Sequence, residues 1–510
     1  MQRVGIIDLG SNAARLIVMH IYYNGAYNLV FNGKETIRLA EGMTDGQVIQ
    51  PKSISRAIET LQVFAHMCQI VQADIIFAVA TAAVRNAVNG RDFLAVAEKS
   101  THIPFNIISG EREAYLGYLG IINTIDVSDA VLFDLGGGST EITLVRNRKI
   151  KKSISLPYGS VNLSEKFSTH DKVSENQLGE LQDFLARVLK DIPWLKNLGL
   201  PIIGVGGTAR NIAKMDQRRK NYPVAKIHNY RLGPISLEDL WRMLVKTNQS
   251  QRKKIPGLSS DRADTIIAGI SLVKTLFDVT GGTSLIISGC GLREGLFFEH
   301  YLQQQNTGPL IEDILEHSTR NMLLFYKGNS NHAEHVTSLA CTLFDSLAQL
   351  HNLTSRDRRL LWVAAMLHDI GITINYYDHA RHSAYLIENA RLFGLSHREQ
   401  ILIAVVAGWH NEPSAKTTRN KVYTEFLGED DWQAARKLAL LLALAESLDT
   451  TQMQVVSKLQ PVVEEDKAIL RIVTHGNAAI ELQEVWQHRK WFKKDLAFEL
   501  SIEEIKAKDD

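Results

Sequence analysis

The sequence has 510 residues, of which 45% are hydrophobic and 22% charged, and its 57 Lys and Arg side chains balance 56 Asp and Glu side chains to a net charge of +1. This composition is typical of a soluble globular protein and excludes the fibrous and intrinsically disordered classes. At about 150 residues per domain, the length predicts three or four domains. A near-neutral chain has no global field that attracts nucleic acid or membranes, so we expect neither as a partner.

The N-terminal segment and the cysteines predict a cytoplasmic protein. "MQRVGIIDLG" runs directly into a strand pattern without the features of a secretory signal. The richest apolar run, "KLALLLALAESL", is shorter than the roughly 18 to 20 residues that cross a bilayer. Cys68, Cys290 and Cys341 lie far apart and outside any CxxC pattern, which fits a reducing compartment better than a disulfide framework.

In chain order, the first elements occur twice. "VGIIDLGSNAARLIVM" near residue 4 and "AVLFDLGGGSTEITLV" near residue 130 both have an apolar strand that ends in Asp-Leu-Gly, a turn of small residues and a returning strand. This layout predicts a duplicated domain in which each copy opens on a β-hairpin. Strands that alternate with helices, as in "DIIFAVATAAVRNA" and "PIIGVGGTARNIAKM", predict an α/β architecture for both copies.

The second half of the chain has a different pattern. The polar "YLQQQNTGPL" at residues 301–310 marks a boundary, and strand signals nearly vanish from there to about residue 465. The end, from "AILRIVT" to "AFELSI", predicts a strand, a helix and a strand. The sequence therefore predicts four domains: an α/β lobe at 1–124, a second at 125–305, an all-α domain at 306–460 and a small α+β domain at 461–510.

Glycine-rich turns at the ends of predicted strands indicate a phosphate site. Backbone N–H groups approach phosphate oxygens closely where no Cβ intervenes, and the N-terminus of a following helix adds partial positive charge. A single turn of this kind is weak evidence, but the duplicated framework has four: "DLGSN", "DLGGGST", "GVGGTARN" and "GCGLREG". We therefore expect a ligand with several phosphate groups.

Carboxylates beside these turns predict a metal ion. Asp134 and Glu141 flank the second hairpin turn, and Asp8 stands at the same place in the first. Acids next to a phosphate cradle repel the ligand unless a hard cation lies between them. Asp134 and Glu141 are therefore candidate Mg²⁺ ligands, with Asp8 as a third acid across the cleft. The alternative for Asp134 is a side-chain cap of its own turn.

The ordered motifs "DLGSN", "ATAAVRNA", "ISGEREA", "DLGGGSTE", "GVGGTARN" and "SGCGLREG" resemble the exopolyphosphatase and guanosine pentaphosphate phosphohydrolase (Ppx/GppA) family. This family is a branch of the actin, sugar kinase and Hsp70 superfamily. The resemblance implies two actin-like (ASKHA, ribonuclease H-like) lobes with a phosphate-binding cleft between them. It also implies hydrolysis of the terminal phosphate of polyphosphate or of pppGpp with Mg²⁺ (or Mn²⁺), and a homodimer.

The resemblance also assigns site residues. Glu113 in "SGEREA" matches the catalytic base, which takes a proton from the attacking water. Arg85 in "ATAAVRNA" matches a phosphate-contacting arginine, and Arg15 and Arg293 are weaker candidates. Substrate-cradle positions carry over to Ser11, Asn12, Gly136, Gly137, Gly138, Ser139, Gly206, Gly207 and Thr208.

Alternatives remain open for the site and for the activity. An acid at Glu113 can also act only to stabilise the N-terminus of its helix. Kinases of the superfamily use similar loops to bind ATP, so an ATP-dependent kinase is the nearest superfamily alternative. A non-catalytic nucleotide or alarmone sensor is the alternative from another class.

The helical half contains "HAEHV", "MLHDIG", "RHSAYLI", "GWHN" and "AESLD", which resemble HD-type metal-dependent phosphohydrolases. In such domains imidazole and carboxylate ligands from separate helices converge on a divalent metal. The second candidate metal set is His332, His368, Asp369 and Asp449, with His382 and His410 in supporting positions. Glu446 stands where many HD domains have an aspartate, so a degenerate, purely structural HD domain is the alternative.

Four basic runs bear on the choice of substrate: "RNRKIKK" (146–152), "QRRK" (217–220), "QRKK" (251–254) and "RDRR" (356–359). A long polyanion needs a basic track from the cleft, although each run alone is more often a solvated surface. No motif clearly indicates recognition of a guanine base. The predicted function is therefore an Mg²⁺-dependent exopolyphosphatase that releases orthophosphate, with pppGpp hydrolysis as the alternative.

Overall fold

The computed structural model describes residues 1–43, 47–411 and 420–507. The chain divides into two compact units. One comprises Met1–Tyr23 and Tyr27–Ile314, and the other comprises Leu315–Asp510 with Asn24–Ala26. No helix in the described ranges has both the length and the apolar character that a bilayer crossing requires.

A five-stranded sheet opens the first unit. Its strands are β1 (Gln2–Leu9), β2 (Ala13–Ile21), β3 (Tyr27–Thr36), β4 (Ile75–Ala80) and β5 (Asn106–Ile107), in the order β3-β2-β1-β4-β5. β1 and β2 form an antiparallel hairpin, whereas β4 runs parallel to β1 and β5 parallel to β4. The helices of this part are α1 (Pro51–Ile70), α2 (Ala82–Asn86), α3 (Gly90–Thr101) and α4 (Gly110–Ile122).

A six-stranded sheet follows in the same unit. Its strands are β6 (Ala130–Leu135), β7 (Thr140–Arg146), β8 (Lys149–Leu156), β9 (Ile202–Gly206), β10 (Tyr230–Leu232) and β11 (Leu285–Ile287), in the order β10-β11-β9-β6-β7-β8. The helices are α5 (Ser160–Lys166), α6 (Glu175–Lys190), α7 (Gly207–Arg219), α8 (Pro234–Val245), α9 (Gln249–Arg252), α10 (Ile266–Thr280) and α11 (Leu292–Gln304), with 3₁₀ turns at Pro193–Leu195 and Ser260–Arg262.

The two sheets follow one plan around their opening strands. In each, an antiparallel hairpin (β1-β2 and β6-β7) is extended on its other side by a parallel strand (β4 and β9). The opening strands are almost wholly buried, as expected for strands that are covered on both faces. The two sheets agree with the predicted duplication, and the expected boundary between residues 124 and 125 falls between α4 and β6.

Helices α4 and α11 pack against each other at glycines. A Cβ on Gly120 would lie 2.1 Å from the carbonyl oxygen of Gly291, and one on Gly295 would lie 1.8 Å from that of Leu116. One turn further, Arg112 donates from Nη1 to Glu299 Oε1 at 2.7 Å. The absence of a side chain at both glycines therefore permits a close antiparallel contact between the helix that carries Glu113 and the helix that carries Arg293.

The second unit is helical over most of its length. Every regular element described between Ile314 and Ser447 is a helix, as predicted. The helices are α12 (Ile314–Phe325), α13 (Ser330–Ser346), α14 (Ala348–His351), α15 (Ser355–Leu367), α16 (His379–Asn389), α17 (His397–Gly408), α18 (Lys421–Phe426) and α19 (Glu429–Ser447), with a 3₁₀ turn at Ile370–Thr373.

The chain ends in a three-stranded sheet with two helices. Its elements are β12 (Val456–Val463), β13 (Lys467–Thr474), α20 (Ala479–Gln487), α21 (Arg489–Leu496) and β14 (Glu499–Lys506), with strand order β12-β13-β14. The predicted strand, helix and strand are present, but the helix is split in two and β12 was missed. β12 is an edge strand that contains Pro461, a residue that weakens a strand signal. The boundary expected between residues 460 and 461 falls inside this strand.

Candidate active site in the first unit

The predicted acids lie near the ends of the two opening strands. Asp8 is the penultimate residue of β1, and its register partner is Arg15 on β2. Asp134 is the penultimate residue of β6, and it pairs directly with Glu141 on β7. Residues that are directly opposite in an antiparallel pair project from the same face, so the duplicated hairpins bring these carboxylates to one edge of the unit.

A cavity of about 100 Å³ lies at these strand ends. Most of the residues assigned from the sequence line it. These are Asp8, Ser11, Asn12, Arg15, Glu113, Asp134, Gly136, Gly137, Ser139, Gly206, Gly207 and Arg293.

Four predicted residues lie outside the lining. Arg85 contacts Glu113, and Glu141 accepts from Ser155 Oγ at 2.8 Å. Gly138 lies against Ser11, and Thr208 packs against Gly269. In this structure Arg85 and Glu141 therefore support the acids at the cavity, while Gly138 and Thr208 belong to the glycine-rich turns but pack against neighbouring residues.

Glu113 is placed by the start of α4. Ser109 caps this helix, since its Oγ accepts from the backbone N–H of Arg112 at 3.1 Å, and this puts Glu113 in the first turn. Arg85 donates from Nη1 to Glu113 Oε2 at 3.1 Å and to the carbonyl oxygen of Ile108 at 2.7 Å. Burial and the charge of Glu141 raise the pKa of Glu113 well above its ordinary value, and Arg85 opposes them. A carboxyl group with such a pKa can act as a base near neutral pH.

The pKa values of the remaining acids are also raised above their ordinary values. Burial, together with the charge of Asp8, raises the pKa of Asp134 to about 6. Burial and Asp134 raise the pKa of Glu141 to about 7, and burial raises that of Asp8. A cation beside these groups would favour their ionised forms, so their environment suits a bound divalent ion.

The spacing of the acids bears on how such an ion would be held. Among the described residues, the sets of three His, Cys, Asp or Glu donors that lie within 4.8 Å of one another are found in the second unit, not at this cavity. Asp8, Asp134 and Glu141 therefore do not form a closed protein cage. Mg²⁺ is typically bound by one or two carboxylates, with waters and substrate phosphate oxygens as its other ligands, and the cavity fits this mode.

Four arginines also line the cavity: Arg15, Arg210, Arg262 and Arg293. Burial, together with the charges of Arg210 and Arg293, lowers the pKa of Arg15 to about 9. Burial also lowers the pKa of Arg210 and of Arg262. Buried like charges are costly without a partner of opposite charge, so the cluster favours an anionic ligand.

Arg210 and Arg262 were missed by the sequence analysis. Arg210 follows the glycine turn by less than one helical turn and lies within the quoted motif "GVGGTARN", so the signal was present. Arg262 lies in a 3₁₀ turn with no motif, and only the tertiary fold places it at the cavity.

The backbone of the turns also suits a phosphate group. Gly206 has φ +104°, and a Cβ there would lie 2.4 Å from the carbonyl oxygen of Leu135, so glycine is required where β9 meets α7. The Nδ2 of Asn12 is buried at the cavity and has no hydrogen-bond partner in the described structure. An unsatisfied buried donor is costly, and a phosphate oxygen would satisfy it.

Comparison with known families agrees with this geometry. The Ppx/GppA phosphatase family matches residues 18–304, and the domain described as Ppx/GppA phosphatase, domain III, matches residues 314–497. The chain belongs to the Ppx/GppA phosphatase family. The resemblance found in the motifs is thereby confirmed, and family membership makes the chain a phosphatase.

Solved structures of Ppx/GppA proteins share the fold. An exopolyphosphatase from Cytophaga hutchinsonii superposes with a TM-score of 0.56 at 25% sequence identity, over 61% of this chain and 100% of that one. A Ppx/GppA family member from Aquifex aeolicus superposes with a TM-score of 0.52 at 26% identity, over 59% of this chain and 98% of that one. This chain is therefore longer than either relative.

Several basic side chains in the four basic runs of this Ppx/GppA chain are already bound to neighbouring groups of the protein. Arg252 is buried and donates to backbone carbonyl oxygens of residues 169–171, and Lys220 pairs with Asp216 at 2.7 Å. Arg358 and Arg356 in the second unit pair with Asp345 and Glu399. Acidic partners thus neutralise part of the runs at 217–220 and 356–359, whereas exposed lysines remain at 253–254 and, on β8, in the run at 146–152.

Domain III contains the second predicted metal set. His332, His368 and Asp369 offer donor atoms within 4.8 Å of one another. Asp449 is not in this group. Its Oδ2 instead forms a hydrogen bond with His332, at 2.8 Å from Nδ1. The structure brings together three of the four residues and places the fourth behind His332.

A further group in domain III joins Asp369, His379 and His410. His410 was expected in a supporting position, but His379 was missed, and His382 belongs to neither group. Both His379 and His382 lie in "DHARHSAYLI" on α16, so sequence pattern alone could not distinguish them.

Proposed function

We propose that this chain is an exopolyphosphatase, which uses Mg²⁺ to hydrolyse the terminal phosphoanhydride of inorganic polyphosphate and releases orthophosphate. The observation that carries the proposal is the buried cavity in which four arginines meet Asp8, Glu113 and Asp134. The arginines match the charge of a polyanionic chain end, and the acids match the needs of a base and a cation.

In the proposed reaction Glu113 acts on water. It accepts a proton from the water molecule as the water oxygen forms a bond to the terminal phosphorus, and the anhydride P–O bond breaks. The shortened chain leaves with the electron pair on its phosphate oxygen, and orthophosphate is released. Asp8 and Asp134 would hold Mg²⁺, which would supply electrostatic stabilisation of the negative charge. Arg15, Arg210 and Arg293 position the terminal phosphate and neutralise its oxygens.

Two observations support polyphosphate as the substrate. None of the described residues that line the cavity is aromatic, so the wall offers no ring on which a base could stack. Ser155 near the end of β8 donates to Glu141, and Lys149, Lys151 and Lys152 are exposed along the same strand. This strand therefore carries free positive charge away from the acids, as a track for a long polyanion requires.

The test is phosphate release by Glu113→Gln, with Glu111→Gln as the matched control on the same helical turn. Glu111 is exposed and does not line the cavity. We expect Glu113→Gln to lose about 10²- to 10⁴-fold in kcat, the usual contribution of a general base, and to retain polyphosphate binding. We expect Glu111→Gln to behave as wild type. Wild-type turnover by Glu113→Gln would exclude it as the base.

A further inference from the structure

Arg262 lines the cavity without a bonding partner of its own. The residue is 6% exposed, and in the part of the chain that the structure describes its guanidinium makes no hydrogen bond or ion pair. A Cβ on Gly207 would lie 2.5 Å from Arg262 Nη2, so the guanidinium lies against the glycine turn where β9 meets α7. Its position is therefore set by the backbone that carries it.

Residues 259–265, which we call the Arg262 segment, have little regular structure, since they contain only a 3₁₀ turn. Two hydrogen bonds join the segment to nearby parts of the six-stranded sheet and its helices. The N–H of Ser259 donates to Asn211 Oδ1 at 2.7 Å, and Ser164 Oγ donates to the carbonyl oxygen of Asp264 at 2.7 Å. Because no strand ladder or longer helix spans the segment, its side-chain contacts decide where Arg262 lies.

Two ion pairs join the Arg262 segment to the five-stranded sheet. Lys34 on β3 lies 2.7 Å from Asp261 Oδ2, and Arg38, two residues beyond the end of β3, lies 3.3 Å from Asp264 Oδ2. The two acids stand on either side of Arg262 in the chain. Partly exposed ion pairs of this kind add little to stability, so their main effect is on the position of the segment.

Arg38 also binds the first glycine turn of the cavity. Its backbone N–H and that of Ile37 each donate to the carbonyl oxygen of Asn12 at 3.0 Å, and Asn12 lines the cavity. Arg38 has φ +47°, a left-handed conformation that costs free energy in a residue with a Cβ and persists only where its surroundings hold it. A single strained residue therefore joins the turn of Asn12 to the segment that carries Arg262.

We propose that Lys34 and Arg38 are positioning residues for Arg262. They act through the ion pairs with the acids on either side of it, so the arginine cluster of the cavity depends on the edge of the five-stranded sheet. Neither residue lines the cavity, and loss of either pair should displace Arg262 and weaken binding of phosphate groups. The inference rests on the proposed function in one respect, since it takes the cavity to bind the phosphates of the substrate.

The test is the affinity of the full-length chain for tripolyphosphate, measured by isothermal titration calorimetry with Mg²⁺ in a Glu113→Gln parent, where turnover is slow. Arg262→Met should weaken binding by about 10- to 100-fold, the usual contribution of a hydrogen bond to a charged group. Lys34→Met combined with Arg38→Met should weaken it by about threefold or more, as coupled residues do. When Arg262→Met is already present, the same double variant should change the affinity by no more than about twofold.

A second double variant separates position from charge. Asp261→Asn with Asp264→Asn breaks the same two ion pairs but removes negative charge, so long-range electrostatics alone would tighten binding of an anion. Loss of position predicts weaker binding instead. Arg471→Met breaks a partly exposed ion pair with Glu503 in the three-stranded sheet, and as the control it should bind like the parent.

Four results would overturn the proposal. These are no binding by the parent, unchanged affinity of the lysine and arginine double variant, a loss that multiplies with that of Arg262→Met, and unchanged or tighter binding by the asparagine double variant. If circular dichroism shows that the first double variant does not fold, Lys34→Met alone should give a smaller loss in the same direction. Lys34→Arg, which keeps the ion pair, should bind like the parent.

The affinity measurement needs no turnover, so it is independent of the test of hydrolysis. Wild type that binds tripolyphosphate but releases no orthophosphate from polyphosphate would contradict the proposed function, while the pattern of affinities would still decide the role of Lys34 and Arg38.

Discussion

The cavity of the first unit contains the aspartate Asp134, and the histidine cluster of domain III contains the aspartate Asp369. The pKa values of these two side chains are shifted in opposite directions. Burial and a neighbouring carboxylate raise the pKa of Asp134 to about 6. Asp369 is also buried, but the charge of His368 and a hydrogen bond from His379 outweigh burial and hold its pKa below the ordinary value. The partners, rather than burial alone, decide the sign.

The comparison extends to the ligands. The cavity combines carboxylates, arginines and backbone N–H groups at strand ends, which suit a hard cation and phosphate oxygens. The histidine cluster around Asp369 in domain III combines imidazoles from separate helices. Imidazole ligands suit softer divalent ions. The two sites should therefore respond to different substitutions and to different metals.

After Glu113→Gln, the largest effect is expected from Arg210→Met, which removes one buried positive charge from the cavity. Loss of a preorganised group that stabilises developing charge costs about 10²- to 10³-fold in rate, and we expect a loss of this size in kcat/KM for polyphosphate. Arg218→Met on the same helix is the control, since Arg218 is exposed and outside the cavity. Equal activity of the two variants would contradict the role of Arg210 in binding the terminal phosphate.

A smaller effect, confined to domain III, is expected from Asp449→Asn. Its carboxylate fixes the Nδ1 proton of His332, and loss of such a partner weakens metal affinity by about 10- to 100-fold. Titration with Mn²⁺ should show this loss, while phosphate release from polyphosphate remains close to wild type. Unchanged Mn²⁺ affinity would contradict the role of Asp449 as a positioning residue.

The smallest effect is a shift in pH dependence for Arg85→Gln. Arg85 lowers the pKa of Glu113 against burial, so its removal raises that pKa further. The base must be deprotonated to accept a proton, and the acidic limb of the pH–kcat profile should therefore move to higher pH. At pH 7 the loss should be up to about tenfold, as for a shift of one pKa unit, with recovery at higher pH. A uniform loss at every pH would instead indicate direct phosphate contact by Arg85.

The cavity was largely predictable because its residues sit in short motifs. Asp8 and Asp134 each close an apolar strand beside a glycine turn, so local sequence sets both their position and their chemistry. Arg262 lacks such a signal and reaches the cavity through the tertiary fold. In domain III, His379 and His382 are separated by less than one turn of the same helix, and only packing determines which of them faces Asp369. β12 was missed because Pro461 breaks the expected strand pattern at a sheet edge.

The most direct test of the proposed function is orthophosphate release from long-chain polyphosphate, pppGpp and ATP, measured side by side with Mg²⁺ at equal concentrations of substrate ends. We predict the highest kcat/KM for polyphosphate, with release reduced about 10²- to 10⁴-fold by Glu113→Gln and retained by Glu111→Gln. A higher kcat/KM for pppGpp would contradict the proposed substrate and indicate the guanosine pentaphosphate activity. Binding of polyphosphate or pppGpp without phosphate release from any substrate would contradict the proposed hydrolysis.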